Sequence, residues 1–152
     1  PAGERPTAGG ARWIGRGRDR CASPARHVGV IVVDTSVWID HLHRREDELV
    51  VLLERNEVGV HPMVIGELAL GSIKDRGTVL GLLGDLPGVM RCTDAEVLAL
   101  VEAQQLWSQG LSVVDAHLLA SVMITPEARL WTRDRRLDAA AAQRSVSWTT
   151  PG

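Results

Sequence analysis

VIVVDTSVWIDHL, residues 30–42, decides the fold. It opens with a β-branched run, Val30–Val33, that stops at Asp34. Such a run, with no polar alternation, suits a central strand buried on both faces, as in a parallel sheet. From about Ser36 to Leu42 a short helix is expected. A strand that ends in an acid and turns straight into a helix is how an α/β chain begins. In such chains ligands bind beyond the carboxyl ends of the strands.

The rest of the chain repeats the alternation. Helical spacing of Leu49, Leu52 and Leu53 predicts a helix over 46–56, and EVGVH (57–61) reads as a second strand. Pro62 suits a first helical turn, and Gly71 a helix end. TVLGLLGDL (78–86) reads as a helix and GVMRC (88–92) as a third strand. Thr93 with Glu96 has capping-box spacing, ahead of a helix carrying Val97, Leu100, Val101 and Trp107 and ending at Gly110. Ser112 with Asp115 repeats that logic before VVDAHLLASVMI. RLWT (129–132) is a fourth strand, 135–142 a helix, and VSW (146–148) a short fifth strand. Strands alternating with helices imply an α/β build, a small parallel β-sheet flanked by helices.

Composition narrows the class. The 152 residues make one domain by the usual span of about 100–200 residues. Five Trp stand with no Phe and no Tyr, so the core must be aliphatic. That excludes an RNA reader built on Phe and Tyr stacking platforms. Two cysteines, Cys21 and Cys92, make neither a Cys-rich zinc site nor a disulfide framework, and they fit a reducing cytoplasm. No apolar run is long enough to span a bilayer. The formal charge of −2 hides an asymmetry. Residues 1–29 carry six Arg against Glu4 and Asp19, while residues 30–152 carry 11 basic and 17 acidic side chains. Residues 1–29, rich in Gly, Pro, Ala and Arg without an apolar period, read as a disordered extension. Residues 30–152 form the folded domain.

Four acids stand where chemistry is expected. Asp34 ends the first strand, Glu67 lies one turn into the helix after the second, Asp115 opens a helix, and Asp134 follows the fourth strand. Taken singly, each has an ordinary explanation as a helix cap or as an answer to the helix dipole. Together they carry more. Asp34 and Asp115 sit in the apolar segments VIVVDTSVWI and LSVVDAHLLA, with no Lys or Arg within three residues, and Glu67 lies between Gly66 and Leu68 next to Ile65. Carboxylates in apolar surroundings cost several kcal/mol unless compensated. A hard divalent cation such as Mg²⁺ is the natural compensator.

The run VIVVDTSVWIDHL, the E-L pair in VIGELALG, DAHLLAS and LWTRDRRL, in that order, resembles PIN-domain proteins, in particular VapC-type toxins of bacterial toxin–antitoxin pairs. The resemblance spans about residues 30–148. It implies a PIN-like α/β fold and an endoribonuclease dependent on Mg²⁺ or Mn²⁺. It matches Asp34, Glu67, Asp115 and Asp134 to an acidic quartet that is both catalytic and metal-binding, and Ser36 and Thr132 to pocket hydroxyls. It also implies a cognate VapB-type antitoxin, an RNA substrate and a homodimer. Asp34 and Asp115 are the expected direct ligands. Glu67 acts through water or on the attacking water, and Asp134 completes a second site or acts from behind the first.

Other residues carry weaker signals. Arg133 and Arg135 flank Asp134 and are candidate RNA contacts. His41, His43, His61 and His117 make no trustworthy metal spacing and read as surface or packing residues. Trp38 reads as core or partner interface. Asp40, Asp75 and Asp138 read as solvated charges. Two rival functions stand beside the nuclease. A catalytically silent PIN-like binding module would lack part of the acid quartet. A receiver-like signalling domain would need adjacent acids after the first strand and a late lysine. Asp34 stands alone there, and Lys74 is the sole lysine.

Overall fold

The computed structural model describes residues 29–152. The expected disordered extension therefore lies, but for Gly29, outside the described residues. Ten elements follow in order: β1 (Ile31–Val33), α1 (Thr35–His43), α2 (Asp47–Glu54), β2 (Val58–Gly59), α3 (Pro62–Leu70), α4 (Arg76–Asp85), α5 (Asp94–Ala103), α6 (Val113–Ile124), β3 (Arg129–Trp131) and α7 (Arg135–Gln143). The strands form one parallel sheet in the order β2-β1-β3, with Ile31 opposite both Val58 and Arg129 and Val33 opposite Trp131. The run that opens the domain is thus the central strand. Val32 and Val33 are wholly buried, as an unalternating β-branched run requires.

Two expected strands are reduced to single bridges. GVMRC contributes only the pairing of Gly88 with Val60, and VSW only that of Ser147 with Leu130. Both lie at the sheet margins, where one residue of register suffices to hold a connecting segment. Gly59 allows the first of these. A Cβ there would meet Val30 Cγ1 at 2.7 Å and Val89 Cγ1 at 2.9 Å, so only glycine lets segment 87–89 lie against β2. The helix after Thr93 also stops earlier than Gly110, at Ala103. Gln105 and Ser108 take left-handed backbone (φ 52 and 60), and buried Leu106 pins the loop between them. Gly110 itself has φ 75 and lies under the Arg136 side chain, which leaves no room for a Cβ.

The core is aliphatic, as the absence of Phe and Tyr demands. Leu49, Leu118, Leu119, Leu130 and Leu137 are fully buried, with Trp38 and Trp131 at the margins. Burying each Leu contributes about 1.5–3 kcal/mol. Both predicted capping boxes form, at Thr93/Glu96 and Ser112/Asp115. In a parallel sheet, a helix that follows a strand begins at the strand's carboxyl end. α1, α3 and α7 follow β1, β2 and β3, and α6 runs back before β3. The amino ends of all four therefore gather at one edge. No described helix is long and apolar enough to cross a membrane.

Candidate active site

Asp34 stands at the N-cap position of α1, yet its side chain does not cap that helix. It turns to two hydroxyls instead. Ser36 Oγ donates to Asp34 Oδ2 at 2.7 Å, and Thr132 Oγ1 donates to the same oxygen at 2.8 Å. Each hydroxyl also accepts from the loop after β3: Ser36 from Arg133 N at 3.0 Å, Thr132 from Asp134 N at 3.0 Å. The ends of β1 and β3 are thereby locked around one carboxylate. Asp34 is only 6% exposed, and no cationic side chain pairs with it among the described residues. Hydrogen bonds to an ionised carboxylate are strong, but two of them offset only part of the cost of burying a charge.

The other three acids are more open. Glu67 is exposed on α3, and its Oε2 accepts from Thr35, the residue after Asp34. Asp115 is half-buried at the third position of α6. Its Oδ2 accepts from Ser112 N at 2.8 Å, and its own N–H donates to Ser112 Oγ at 3.1 Å. Asp134 is exposed and caps α7, Oδ1 accepting from Arg136 N at 2.8 Å and Leu137 N at 3.2 Å. The apolar flanks thus bury Asp34 alone; Glu67 and Asp134 reach solvent from the same sheet edge. Asp34, Ser36, Thr132 and Asp134 form one bonded network, with Glu67 joined next to it through Thr35. Asp115 makes no hydrogen bond to that network.

The four carboxylates share one feature. Each is oriented by a single oxygen, and its other oxygen has no hydrogen bond among the described residues. Asp34, Asp115 and Asp134 stand at helix amino ends, whose positive potential favours negative charge, while Glu67 lies in the second turn of α3. Among the described residues, no three acids, histidines or cysteines converge closely enough to share an ion. The hard oxygen donors nonetheless fit Mg²⁺, which keeps several waters and takes only one or two carboxylates directly.

Of the candidate RNA contacts, Arg133 is already engaged. Its guanidinium pairs with Asp40 at 3.2 Å and with Glu46, and lies 5.6 Å above the Trp131 ring. Asp40 is therefore an ion-pair partner rather than a solvated charge, and Asp138 accepts from Ser147 Oγ. Arg135 is exposed and has no ion pair among the described residues. Trp38 is core, 5% exposed.

Two of the histidines expected on the surface or in packing are packed, and one of them also caps a helix. His61 and His117 are buried, 2% and 5% exposed, with ring centroids 6.3 Å apart. His61 caps α3, its Nδ1 accepting from Met63 N at 3.0 Å. Burial, then His117, then Arg91 push its pKa down from 6.5 to about 4. The available signal was the apolar strand ending in His immediately before a helix-starting proline. Histidine is outside the usual capping set, so it went unread.

The family model for the PIN domain matches residues 31–143 of the chain. Two curated proteins, both called Ribonuclease VapC32, come from Mycobacterium tuberculosis strains CDC 1551 / Oshkosh and ATCC 25618 / H37Rv. Each is 54% identical to the chain over 118 residues, which is 78% of this chain and 95% of the relative.

Proposed function

The chain belongs to the PIN-domain family, and on that premise we propose that it is a VapC-type endoribonuclease toxin, held in check by a cognate VapB-type antitoxin. The observation that carries the reading is the buried Asp34 carboxylate. Among the described residues no cationic side chain pairs with it, and Ser36 and Thr132 both donate to one of its oxygens. Glu67, Asp115 and Asp134 are the acids proposed to act with it.

The site suits phosphodiester hydrolysis. Asp34 and Asp115 would hold Mg²⁺ or Mn²⁺ directly through the oxygens their hydrogen bonds leave open, with Glu67 and Asp134 acting through water. Bound there, the ion supplies Lewis acidity to the phosphate and to the attacking water. Ser36 and Thr132 fix the Asp34 carboxylate so that no reorientation is needed during reaction. Glu67, tethered through Thr35, positions the attacking water. The amino ends of α1 and α7 favour the phosphate at this edge. Arg135 contacts the RNA backbone, while Arg133 does so only by exchanging its carboxylate partners.

The partners follow the same reading. Exposed Leu82 on α4 and exposed Leu42 on α1 are apolar surface that a second copy or the antitoxin covers. A cationic antitoxin side chain complements the acids and excludes the metal. The reaction takes place in the cytoplasm, where cellular RNA is the substrate. Brief expression in cells followed by sequencing of RNA ends tests the activity. The reading expects new ends at few sites with the wild type and none with Asp34→Asn. Identical end profiles for the two would overturn it.

A further inference from the structure

Arg133 touches one face of α1 twice. Ser36 and Asp40 stand four residues apart on that helix, so their side chains share a face. Arg133 N donates to Ser36 Oγ at 3.0 Å, and the Arg133 guanidinium pairs with Asp40 at 3.2 Å. The same guanidinium donates to Glu46 Oε2 and lies 5.6 Å from the centre of the Trp131 ring. Glu46 stands at the N-cap position of α2, yet its side chain does not cap that helix. Its carboxylate is turned to Arg133 instead. The α1–α2 connection is itself held, since Glu46 N donates to His41 Nδ1 at 3.1 Å. One side chain thus ties the loop after β3 to the second half of α1 and the start of α2.

What it ties down is the support of Asp34. Ser36 Oγ accepts from Arg133 N, so its own proton is directed to Asp34 Oδ2 at 2.7 Å. Thr132, the residue before Arg133, donates to the same oxygen, and its hydroxyl accepts from the N–H of Asp134, the residue after. Residues 132–134 therefore set both donors to the buried carboxylate, and the middle one carries the anchoring side chain. An isolated exposed ion pair contributes little to stability. This arrangement is built differently. One planar guanidinium meets two carboxylates and an aromatic ring, a geometry that suits Arg and not Lys. Among the described residues the guanidinium pairs with none of Asp34, Glu67, Asp115 and Asp134, so it acts on them only through placement.

We propose that Arg133, held by Asp40 and Glu46, is a positioning residue for RNA cleavage. It fixes residues 132–134 so that Ser36 and Thr132 keep the Asp34 carboxylate in its place. The proposal rests on the ribonuclease reading above, and it has Arg133 keep its carboxylate partners while RNA is cut.

Two measurements separate placement from cleavage. The first needs neither metal nor RNA: amide hydrogen exchange of the full chain in EDTA. Asp40→Ala/Glu46→Ala leaves Arg133 intact but without partners. In that variant the Arg133 and Asp134 amides are expected to exchange about tenfold faster, while those of buried β1 keep their rate. Unchanged exchange at both amides would overturn the proposal. So would equal acceleration throughout the chain, the mark of a general loss of stability. The second measurement is steady-state cleavage in Mn²⁺, below the melting temperature of every variant, of an RNA carrying a site mapped by end sequencing. Arg133→Gln and Asp40→Ala/Glu46→Ala are each expected to lower kcat about tenfold with KM nearly unchanged. All three substitutions together should lower it no further. Arg133→Lys, which can reach one carboxylate at a time, should keep part of the activity. A raised KM in Arg133→Gln with a lowered KM in Asp40→Ala/Glu46→Ala would make Arg133 an RNA contact and overturn the proposal. Unchanged kcat in both would overturn it too. A wild type that cuts no RNA while exchange responds as expected rejects the ribonuclease reading and leaves the hold on residues 132–134 standing.

Discussion

Thr132 donates its hydroxyl to Asp34 at 2.8 Å across 98 positions of sequence, and the bond is buried. It joins the carboxyl ends of β1 and β3 around the buried Asp34 carboxylate. Replacing Thr132 with Val preserves the shape and removes the donor from a buried carboxylate. The expected cost is about 1–3 kcal/mol of stability. Urea unfolding of the two proteins measures it, and cleavage should fall together with stability. Equal midpoints would mean that Asp34 does not depend on the bond.

Ser112 separates capping from catalysis. Ser112→Ala removes the hydroxyl that accepts from Asp115 N and should cost about 1 kcal/mol. The Ser112 backbone N–H still holds Asp115 Oδ2, so the carboxylate stays in place. Cleavage at a temperature where both proteins are folded should therefore change little. A large loss of activity would show that the hydroxyl aims Asp115.

His61 gives stability a pH dependence with a definite sign. Its folded pKa, about 4, lies below the unfolded value of 6.5, so the folded state favours the neutral ring. The associated stability is present above pH 6.5 and is lost as pH falls toward 4. At about 1.4 kcal/mol per pH unit the loss is at most about 3 kcal/mol. Melts between pH 7 and pH 4.5 should show a steeper decline for wild type than for His61→Asn. Parallel declines would place the dependence elsewhere.

Metal should act on folding as well as on cleavage. A ligand that binds only the native state raises the melting temperature, by about 2.7 kcal/mol of stability at a concentration of 100 Kd. Wild type should melt higher in Mn²⁺ than in EDTA, and Asp115→Asn should gain much less. If wild type ignores Mn²⁺, the acids do not hold an ion in the folded state.

The sequence carried the central strand and the capping boxes because both are local. Val30–Val33 has no polar residue to turn outward, and Thr93/Glu96 and Ser112/Asp115 meet within one helical turn. The bond from Ser36 to Asp34, two residues apart, belongs to the same class. Thr132, in contrast, reaches Asp34 only once β3 is paired beside β1, and no spacing encodes that pairing. Segments 88–92 and 146–148 look like strands because their apolar residues pack against the sheet, yet each adds only a single bridge to it. The apolar flanks of Asp115 and Glu67 misled in a similar way. Leu118 and Leu68 are buried, while Asp115, in the first turn of its helix, is half-buried and Glu67, one position before Leu68, is exposed. His61 was passed over because a histidine cap has no short-range signature.

The central claim is that Asp34, Glu67, Asp115 and Asp134 work together on RNA through a divalent ion. The most direct measurement is cleavage of a labelled RNA by the purified chain in Mn²⁺ and in EDTA, beside the four single carboxylate-to-amide variants. The account predicts cleavage in Mn²⁺, none in EDTA, and a loss of roughly two orders of magnitude or more in Asp34→Asn, equivalent to about 2.7 kcal/mol of transition-state stabilisation. Cleavage that persists in EDTA, or an Asp34→Asn protein as active as wild type, would contradict it.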